Sequence, residues 1–198
     1  MESVENAVQA VKEQLPGMKL KENEPMSLHS SFRIGGPARV IAFPSDVTGL
    51  SRLCDILKEH HVAPFLLGNG TNILFPDEGL QDLFLVSTER LQKLFLLPDG
   101  AVYAEAGVSL ARLAAFAQEN GLSGLEFAGG IPGTVGGGCI MNAGAYGGEL
   151  KDVIESVVYL YVPDQALYEI ANADCAFGYR QSIFRRPRAV SCSAPFSA

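Results

Sequence analysis

One segment of the chain, residues 128–149, has a composition that ordinary helices and strands do not have. It reads AGGIPGTVGGGCIMNAGAYGGE and holds nine of the protein's 21 glycines. Glycine destabilises the interior of helices and strands, but it accepts positive φ and lets other groups approach the main chain closely. The segment therefore predicts turns whose main-chain N–H groups converge on a bound group.

The charges around this segment indicate what kind of group it binds. No Lys or Arg occurs from Leu113 to Leu150, so a phosphate bound here would be held by main-chain amides and a helix N-terminus. A second glycine loop, LLGNGTNILF at residues 66–75, is equally neutral, because no Lys or Arg occurs between Glu59 and Glu89. A diphosphate-bearing cofactor that lies in a crevice between two small domains fits both loops.

The loop at residues 66–75 does not match the nucleotide-binding motifs of other folds. The dinucleotide fingerprint requires a third glycine, where this chain has Ile73, and a following helix, which Pro76 precludes. Neither glycine loop is followed by the Gly-Lys-Ser/Thr of a P-loop.

Each of these features also has a purely structural interpretation. For Gly68–Gly70 a tight connection between a strand and a turn is the favoured one, whereas for Gly129–Gly138 we favour ligand binding. Asn72 and Asn142 either close turns or bind polar groups of a ligand.

A third candidate site is FGYRQSIF at residues 177–184, where an arginine lies between aromatic residues. Arg180 either packs its stem on Tyr179 and Phe184 with its guanidinium in water, or provides a fixed cation. A fixed cation would hold a substrate carboxylate or stabilise a developing enolate.

Composition excludes several classes of function. The formal net charge of −7 argues against general binding to nucleic acid or to anionic membranes. The N-terminal MESVENAVQAVKEQL has no cationic flank before an apolar run, so we expect no secretory signal, and no apolar run is long enough to span a bilayer. The four cysteines lack the spacing of metal ligands, so we expect reduced thiols in a cytosolic protein without a metal site: Cys54, Cys139, Cys175 and Cys192.

The periodicity of apolar residues predicts an α+β protein. In the first half it predicts helices that begin at Ser3 and Asp46, a polar connector after Pro16-Gly17, and strands at Ala38–Phe43, Ala63–Leu67 and Leu83–Val86. In the second half it predicts a hairpin of Leu91–Leu97 with Ala101–Ala106, a helix from Ser109 to Gly121, and strands at Val153–Val162 and Ala166–Ile170. We expect domains over residues 1–90, 91–176 and 177–198.

Five motifs resemble one family. They are SFRIGGPA (31–38), LLGNGTNILF (66–75), GLEFAGGIPGTVGG (124–137), MNAGAYGGE (141–149) and FGYRQSIF (177–184). In order and spacing they are similar to the UDP-N-acetylenolpyruvoylglucosamine reductases, the MurB flavoproteins of peptidoglycan precursor synthesis, over most of residues 28–186.

The resemblance implies a fold, cofactors and a reaction. The fold would be an α+β, two-subdomain FAD-binding fold of the vanillyl-alcohol-oxidase type. NADPH would reduce FAD, and hydride from the reduced flavin would convert UDP-N-acetylglucosamine enolpyruvate to UDP-N-acetylmuramate. The partner would be a UDP-sugar, and the protein a cytoplasmic monomer. Another flavin oxidoreductase of the same fold is an alternative that FGYRQSIF disfavours.

The resemblance also assigns residues. Arg180 would be the electrophilic catalyst, and Tyr179 and Arg180 would bind substrate. The expected FAD contacts are Arg33, Gly35, Gly68, Asn69, Gly70, Thr71, Asn72, Gly129, Gly130, Ile131, Pro132, Gly133, Thr134, Gly136, Gly137, Asn142, Gly144 and Ala145.

The C-terminal tail departs from the family. Family members continue into a substrate-binding domain that supplies the serine acid, and the tail RRPRAVSCSAPFSA lacks the alternation of the strand expected after FGYRQSIF. These features predict a truncated chain, residues 177–198 being the start of that domain. The alternative functional expectation is a fragment that binds FAD with little or no turnover.

Overall fold

A computed structural model describes residues 2–161, 163–164, 166–185 and 189–196, with only the backbone for 189–195. The chain divides into two compact units. Unit 1 contains the residues up to Arg90 together with the short segment around Pro163–Asp164, and unit 2 contains the remainder.

Unit 1 has two helices that the apolar spacing predicts correctly. Helix α1 spans Glu2–Gln14 and buries Val4, Ala7, Val8 and Val11. Helix α2 spans Val47–Glu59, and the carboxylate of Asp46 accepts a hydrogen bond from the Gly49 N–H at 2.7 Å. Such a cap satisfies one of the N–H groups that a helix leaves without a partner at its start.

The sheet of unit 1 contains four strands in the order β1-β2-β4-β3. These are β1 Lys19–Pro25, β2 Pro37–Phe43, β3 Pro64–Leu67 and β4 Leu80–Ser87. Strand β1 is antiparallel to β2, while β2 and β3 both run parallel to β4. The carboxyl ends of the three parallel strands therefore lie at one edge, where the predicted loop at residues 68–72 begins.

The expectation of a polar connector after α1 is wrong, because β1 occupies that part of the chain. Its sequence, KLKENEP, has no apolar alternation. It forms an edge strand, and charged side chains on edge strands in general disfavour pairing with other molecules. The strand is defined by its main-chain pairing with β2, which its side-chain pattern does not predict.

Unit 2 is built on a five-stranded antiparallel sheet in the order β10-β9-β11-β6-β5. Its helices are α3 Leu110–Glu119, capped by Ser109 as predicted, and α4 Val135–Met141. The strands are β5 Leu94–Leu96, β6 Val102–Glu105, β7 Gly144–Ala145, β8 Gly148–Glu149, β9 Ser156–Tyr161, β10 Ala166–Ala171 and β11 Ala189–Phe196. Strands β7 and β8 form a separate short hairpin.

The C-terminal tail contains a strand that its side-chain pattern does not predict. Strand β11 pairs with β9 on one side and β6 on the other, and Phe196 is buried. The register against β9 shifts between Ser191 and Ser193, and a bulge of this kind breaks strict alternation. The described part of 177–198 groups with unit 2, and its assignment to a third domain stays a prediction.

Three of the cysteines, Cys54, Cys139 and Cys175, are buried as thiols; the side chain of Cys192 lies outside the described residues. None of the helices in the described part of the chain is both long enough and apolar enough to cross a bilayer.

Candidate functional site

In unit 1, the glycine loop at residues 68–72, which follows β3, packs against residues 29–31, just before the predicted FAD contacts Arg33 and Gly35. Gly70 has a φ of +62°, and a Cβ there would overlap the carbonyl oxygen of His29. The Ser31 N–H donates to the Gly70 carbonyl oxygen at 3.2 Å. The glycine at position 70 is thus required by close packing and by left-handed backbone, as the structural interpretation predicts.

Arg33 and Gly35 belong to the segment SFRIGGPA (31–38), which begins at this contact with the loop. Gly35 has a φ of +121°, and a Cβ there would lie 2.6 Å from the Cβ of Phe75. Arg33 is exposed and has a φ of 55°, a conformation that is uncommon for a residue with a side chain. Unit 1 thus places the segment that carries Arg33 and Gly35 next to the loop that contains Gly70, and it holds Arg33 in a left-handed conformation.

In unit 2, the six glycines of residues 129–138 are of two kinds. Gly136 and Gly138 are buried in α4. A Cβ on Gly136 would lie 2.8 Å from the Cβ of Ala106, and one on Gly138 would lie 2.6 Å from Cδ1 of Leu150. These two glycines let α4 pack closely within unit 2.

The second kind has no such reason to be glycine. A Cβ on Gly129, Gly130, Gly133 or Gly137 would meet no atom closer than 3.5 Å, and Gly130 has nothing within 4 Å. None of the four has a positive φ. Because neither packing nor backbone geometry requires glycine, the bare main chain here fits the close approach of a cofactor. Ile131, Pro132 and the buried Thr134 complete the segment, and Thr134 Oγ1 accepts from the Gly137 N–H at 3.4 Å.

Asn142 caps the end of α4 in left-handed conformation, with a φ of 43°. Its side chain is 2% exposed. Nδ2 donates to Glu149 Oε2 at 2.8 Å and to the Gly178 carbonyl oxygen at 3.1 Å, and Oδ1 accepts from the Lys151 N–H at 3.0 Å. The sequence left open whether Asn142 closes a turn or binds a ligand. The structure supports the first interpretation, because the side chain is hydrogen-bonded within the protein.

A pocket of about 400 Å³ opens beside Asn142. One wall is the β7–β8 hairpin, whose tip residue Tyr146 is 95% exposed and has a φ of 52°. A Cβ on Gly144 would lie 2.6 Å from the Gly148 carbonyl oxygen, so the hairpin itself requires that glycine. The lining residues are Asn142, Gly144, Ala145, Tyr146, Gly147, Gly148, Glu149, Lys151, Asp152, Tyr179 and Arg180.

The turn Gly178–Gln181 also contributes to the lining, and it carries Tyr179 and Arg180, the two residues predicted to bind substrate. The Gln181 N–H donates to the Gly178 carbonyl oxygen at 3.2 Å, and the Gly178 N–H donates back at 3.1 Å. Arg180 has a φ of 54°. Its Cζ lies 5.9 Å from the centroid of the Tyr179 ring, which is 86% exposed. The guanidinium rather than the stem of Arg180 thus lies near Tyr179, and Arg180 lines the pocket, as a fixed cation for a substrate requires.

Charged side chains that sequence reasoning did not assign complete the pocket. Lys151 Nζ lies 2.8 Å from Glu149 Oε2. The hydrogen bonds from Lys151 and then Asn142 lower the pKa of Glu149, helped by the charges of Lys151 and Arg180, while the bond to Glu149 raises the pKa of Lys151. The sequence offers one signal for these charged residues: Lys151 is the first cation after the stretch from Leu113 to Leu150 that lacks Lys and Arg.

Comparison with known proteins identifies the family. Residues 38–167 match the family described as FAD binding domain, and the chain belongs to it. Solved structures of the fold include a Brevibacterium sterolicum cholesterol oxidase variant, with a TM-score of 0.69 at 15% identity over 92% of this chain and 38% of that one. The predicted α+β FAD-binding fold of the vanillyl-alcohol-oxidase type and the FAD cofactor are confirmed.

More similar relatives confirm the resemblance seen in the motifs. UDP-N-acetylenolpyruvoylglucosamine reductases are 40% identical over 180 residues in Syntrophomonas wolfei, and 43% over 178 in Caldanaerobacter subterraneus. These matches cover 91% and 90% of this chain but 60% and 58% of the relatives. The crystal structure of the Thermus caldophilus reductase has a TM-score of 0.77 at 29% identity, over 91% of this chain and 62% of that one. The chain thus spans about 60% of the length of the curated relatives it matches.

Proposed function

We propose that this protein acts in the FAD-dependent reduction of UDP-N-acetylglucosamine enolpyruvate to UDP-N-acetylmuramate, with NADPH as the reductant. The observation that supports this function is the position of Arg180 on a tight turn at a pocket beside the β7–β8 hairpin. The names of the relatives supply the substrate class, and the pocket supplies a cation where a carboxylate would bind.

In this proposal, the diphosphate of FAD is held by main chain, and Arg33 is the one cationic side chain among the predicted FAD contacts. In unit 2, the proposed contacts include Gly129, Gly130, Gly133 and Gly137, where an added Cβ would meet no atom closer than 3.5 Å. In unit 1, the loop Gly68–Asn72 and the segment with Arg33 and Gly35 stay predicted contacts of FAD. Bound FAD supplies the hydride, and the protein supplies position and electrostatic field.

Arg180 would act on the substrate through its charge. Its guanidinium would hold the carboxylate of the enolpyruvyl group and stabilise the negative charge that develops when hydride adds. Such stabilisation is strongest where the cation is preorganised, and here a hydrogen-bonded turn holds the main chain of the arginine. Tyr179 would contact the substrate from the same turn.

Lys151 is a second cation in the pocket, but its charge is largely matched by Glu149. Arg180 forms no ion pair of this kind in the described part of the chain, although its charge contributes to the lowered pKa of Glu149. With Lys151 paired to Glu149, Arg180 is the cation of the pocket that we assign to an anionic substrate.

Two measurements on the purified protein test this function. Titration of FAD, followed by quenching of flavin fluorescence, should show saturable binding. NADPH oxidation should then depend on added enolpyruvyl UDP-sugar. Binding without sugar-dependent oxidation would refute the proposed reaction while leaving FAD binding intact, and the absence of saturable FAD binding would refute both.

A further inference from the structure

The Asn142 side chain connects three separate parts of the pocket. Through Nδ2 it contacts the Gly178 carbonyl oxygen in the turn and Glu149 in the hairpin, and through Oδ1 it contacts the Lys151 N–H. A side-chain amide has two N–H donors and one carbonyl oxygen. All three groups are used, in a side chain that is almost completely buried.

The contact with Gly178 fixes the turn that carries Arg180. Gly178 is the first residue of that turn, and its carbonyl oxygen also accepts the closing bond from the Gln181 N–H. A second attachment follows the turn, where the Ser182 hydroxyl donates to the Ile140 carbonyl oxygen at 2.9 Å. Asn142 is thus a side-chain attachment at the start of the turn, and Ser182 is one at its end.

We propose that Asn142 is a positioning residue that holds the Arg180 turn against the hairpin carrying Glu149, and so sets the place of the guanidinium in the pocket. This inference rests on the proposed function, because it assigns Asn142 a role in catalysis only through Arg180. It moves Asn142 from the predicted cofactor contacts to the support of the catalytic cation.

Both the backbone and the donors at this position favour asparagine. The left-handed conformation is accessible to Asn and Gly at low cost. Aspartate has the same shape, but its carboxylate cannot donate to Gly178 and would lie beside the carboxylate of Glu149. Asn142→Gly therefore removes the side chain without straining the backbone, whereas Asn142→Asp keeps the shape and removes the donors.

A matched control lies elsewhere in unit 2. Asn172 Nδ2 donates to the carbonyl oxygens of Lys151 and Ile154 at 2.5 and 2.6 Å, so Asn172→Asp removes the same kind of donor without touching the Arg180 turn. Urea unfolding of all variants would show how far each change lowers global stability.

The first readout needs no flavin. NMR relaxation should give backbone order parameters for Tyr179 and Arg180 near the rigid value of about 0.85 in the wild-type protein, falling toward about 0.6 in Asn142→Gly and Asn142→Asp. Asn172→Asp should leave them unchanged. Unchanged order at Tyr179 and Arg180 in both Asn142 variants would overturn the proposal.

The second readout is the kinetics of the FAD-loaded protein. Both Asn142 variants should lose about tenfold or more in kcat, with a smaller change in KM, since the charge that Arg180 stabilises is greatest in the transition state. FAD affinity should stay the same. Equal losses of kcat in Asn172→Asp at equal stability would overturn the positioning role. A wild-type protein without sugar-dependent turnover would instead refute the proposed function, and the NMR comparison would still decide whether Asn142 fixes the turn.

Discussion

The carboxylate of Glu149 lies 2.8 Å from the ammonium group of Lys151 and also accepts from Asn142. These contacts lower the pKa of Glu149 from its ordinary value of 4.5 and raise that of Lys151 from 10.5. The stability they contribute is therefore present between those two values. It is lost as pH falls through the lowered pKa of Glu149, and as pH rises through the raised pKa of Lys151.

Glu149→Gln should therefore destabilise the protein at pH 7 more than at pH 3. The measurement is the free energy of unfolding in urea for wild type and variant at both pH values. The effect is small, because both side chains are partly exposed to water. A Lys151→Met background serves as the control, in which the pH dependence should shrink. A difference that grows toward acid pH would contradict this assignment.

Two glycines of the same segment should respond in opposite ways to alanine. Gly130→Ala meets open space, so stability should stay the same or rise by about 0.5–1 kcal/mol. Gly136→Ala places a Cβ 2.8 Å from Ala106, which should cost about 1–3 kcal/mol. Urea unfolding without flavin measures both.

Gly130→Ala also tests the proposed cofactor site. Gly130→Ala should weaken FAD binding by about tenfold, equivalent to about 1.4 kcal/mol, because the methyl group occupies space proposed for the cofactor. Fluorescence titration measures this affinity. Undiminished FAD affinity in Gly130→Ala would remove that position from the proposed site.

Local chemistry made much of the fold predictable. The caps at Asp46 and Ser109 and the glycine at position 121, with its φ of +71°, are read from a few adjacent residues, and each lies where the sequence predicts. Strand β2 and the second half of β4 were found from their apolar residues, because burial on both faces demands them.

What the sequence did not predict depends on contacts between distant residues. The polar strand β1 is defined by its pairing with β2 rather than by its side chains. Asn142 and Gly178 are 36 residues apart, and nothing local to either indicates that they share a hydrogen bond. Gly130 and Gly136 are alike in sequence context, and only the position of Ala106 separates a packing role from an open one.

The Cys175 thiol should resist alkylation in the folded protein. It is fully buried and donates to the Ala171 carbonyl oxygen, and burial, with a smaller effect of the Asp174 charge, raises its pKa to about 11. At pH 8 only about one molecule in a thousand would carry the reactive thiolate. Iodoacetamide labelling followed by peptide mass spectrometry, with and without urea, would measure this. Rapid labelling of Cys175 without urea would show that the site opens.

Arg180 should matter far more for hydride transfer than for binding of flavin. Arg180→Ala should lower the rate of reduction of the enolpyruvyl sugar on the order of 10²–10³-fold, since the charge opposite the guanidinium develops mainly in the transition state. FAD affinity should change less than about threefold, which corresponds to under about 1 kcal/mol.

Two further variants separate the charge of Arg180 from its backbone. Arg180→Gly relaxes the left-handed conformation at a φ of 54°, so it should lose activity like Arg180→Ala while unfolding at a higher urea concentration than that variant. Arg180→Lys keeps the charge but lacks the planar fork that matches a carboxylate, and should recover only part of the rate. Stopped-flow measurement of flavin reoxidation by the enolpyruvyl sugar isolates the step. Equal losses of FAD affinity and of this rate in Arg180→Ala would make the arginine a structural residue of the turn and leave the pocket without its catalytic cation.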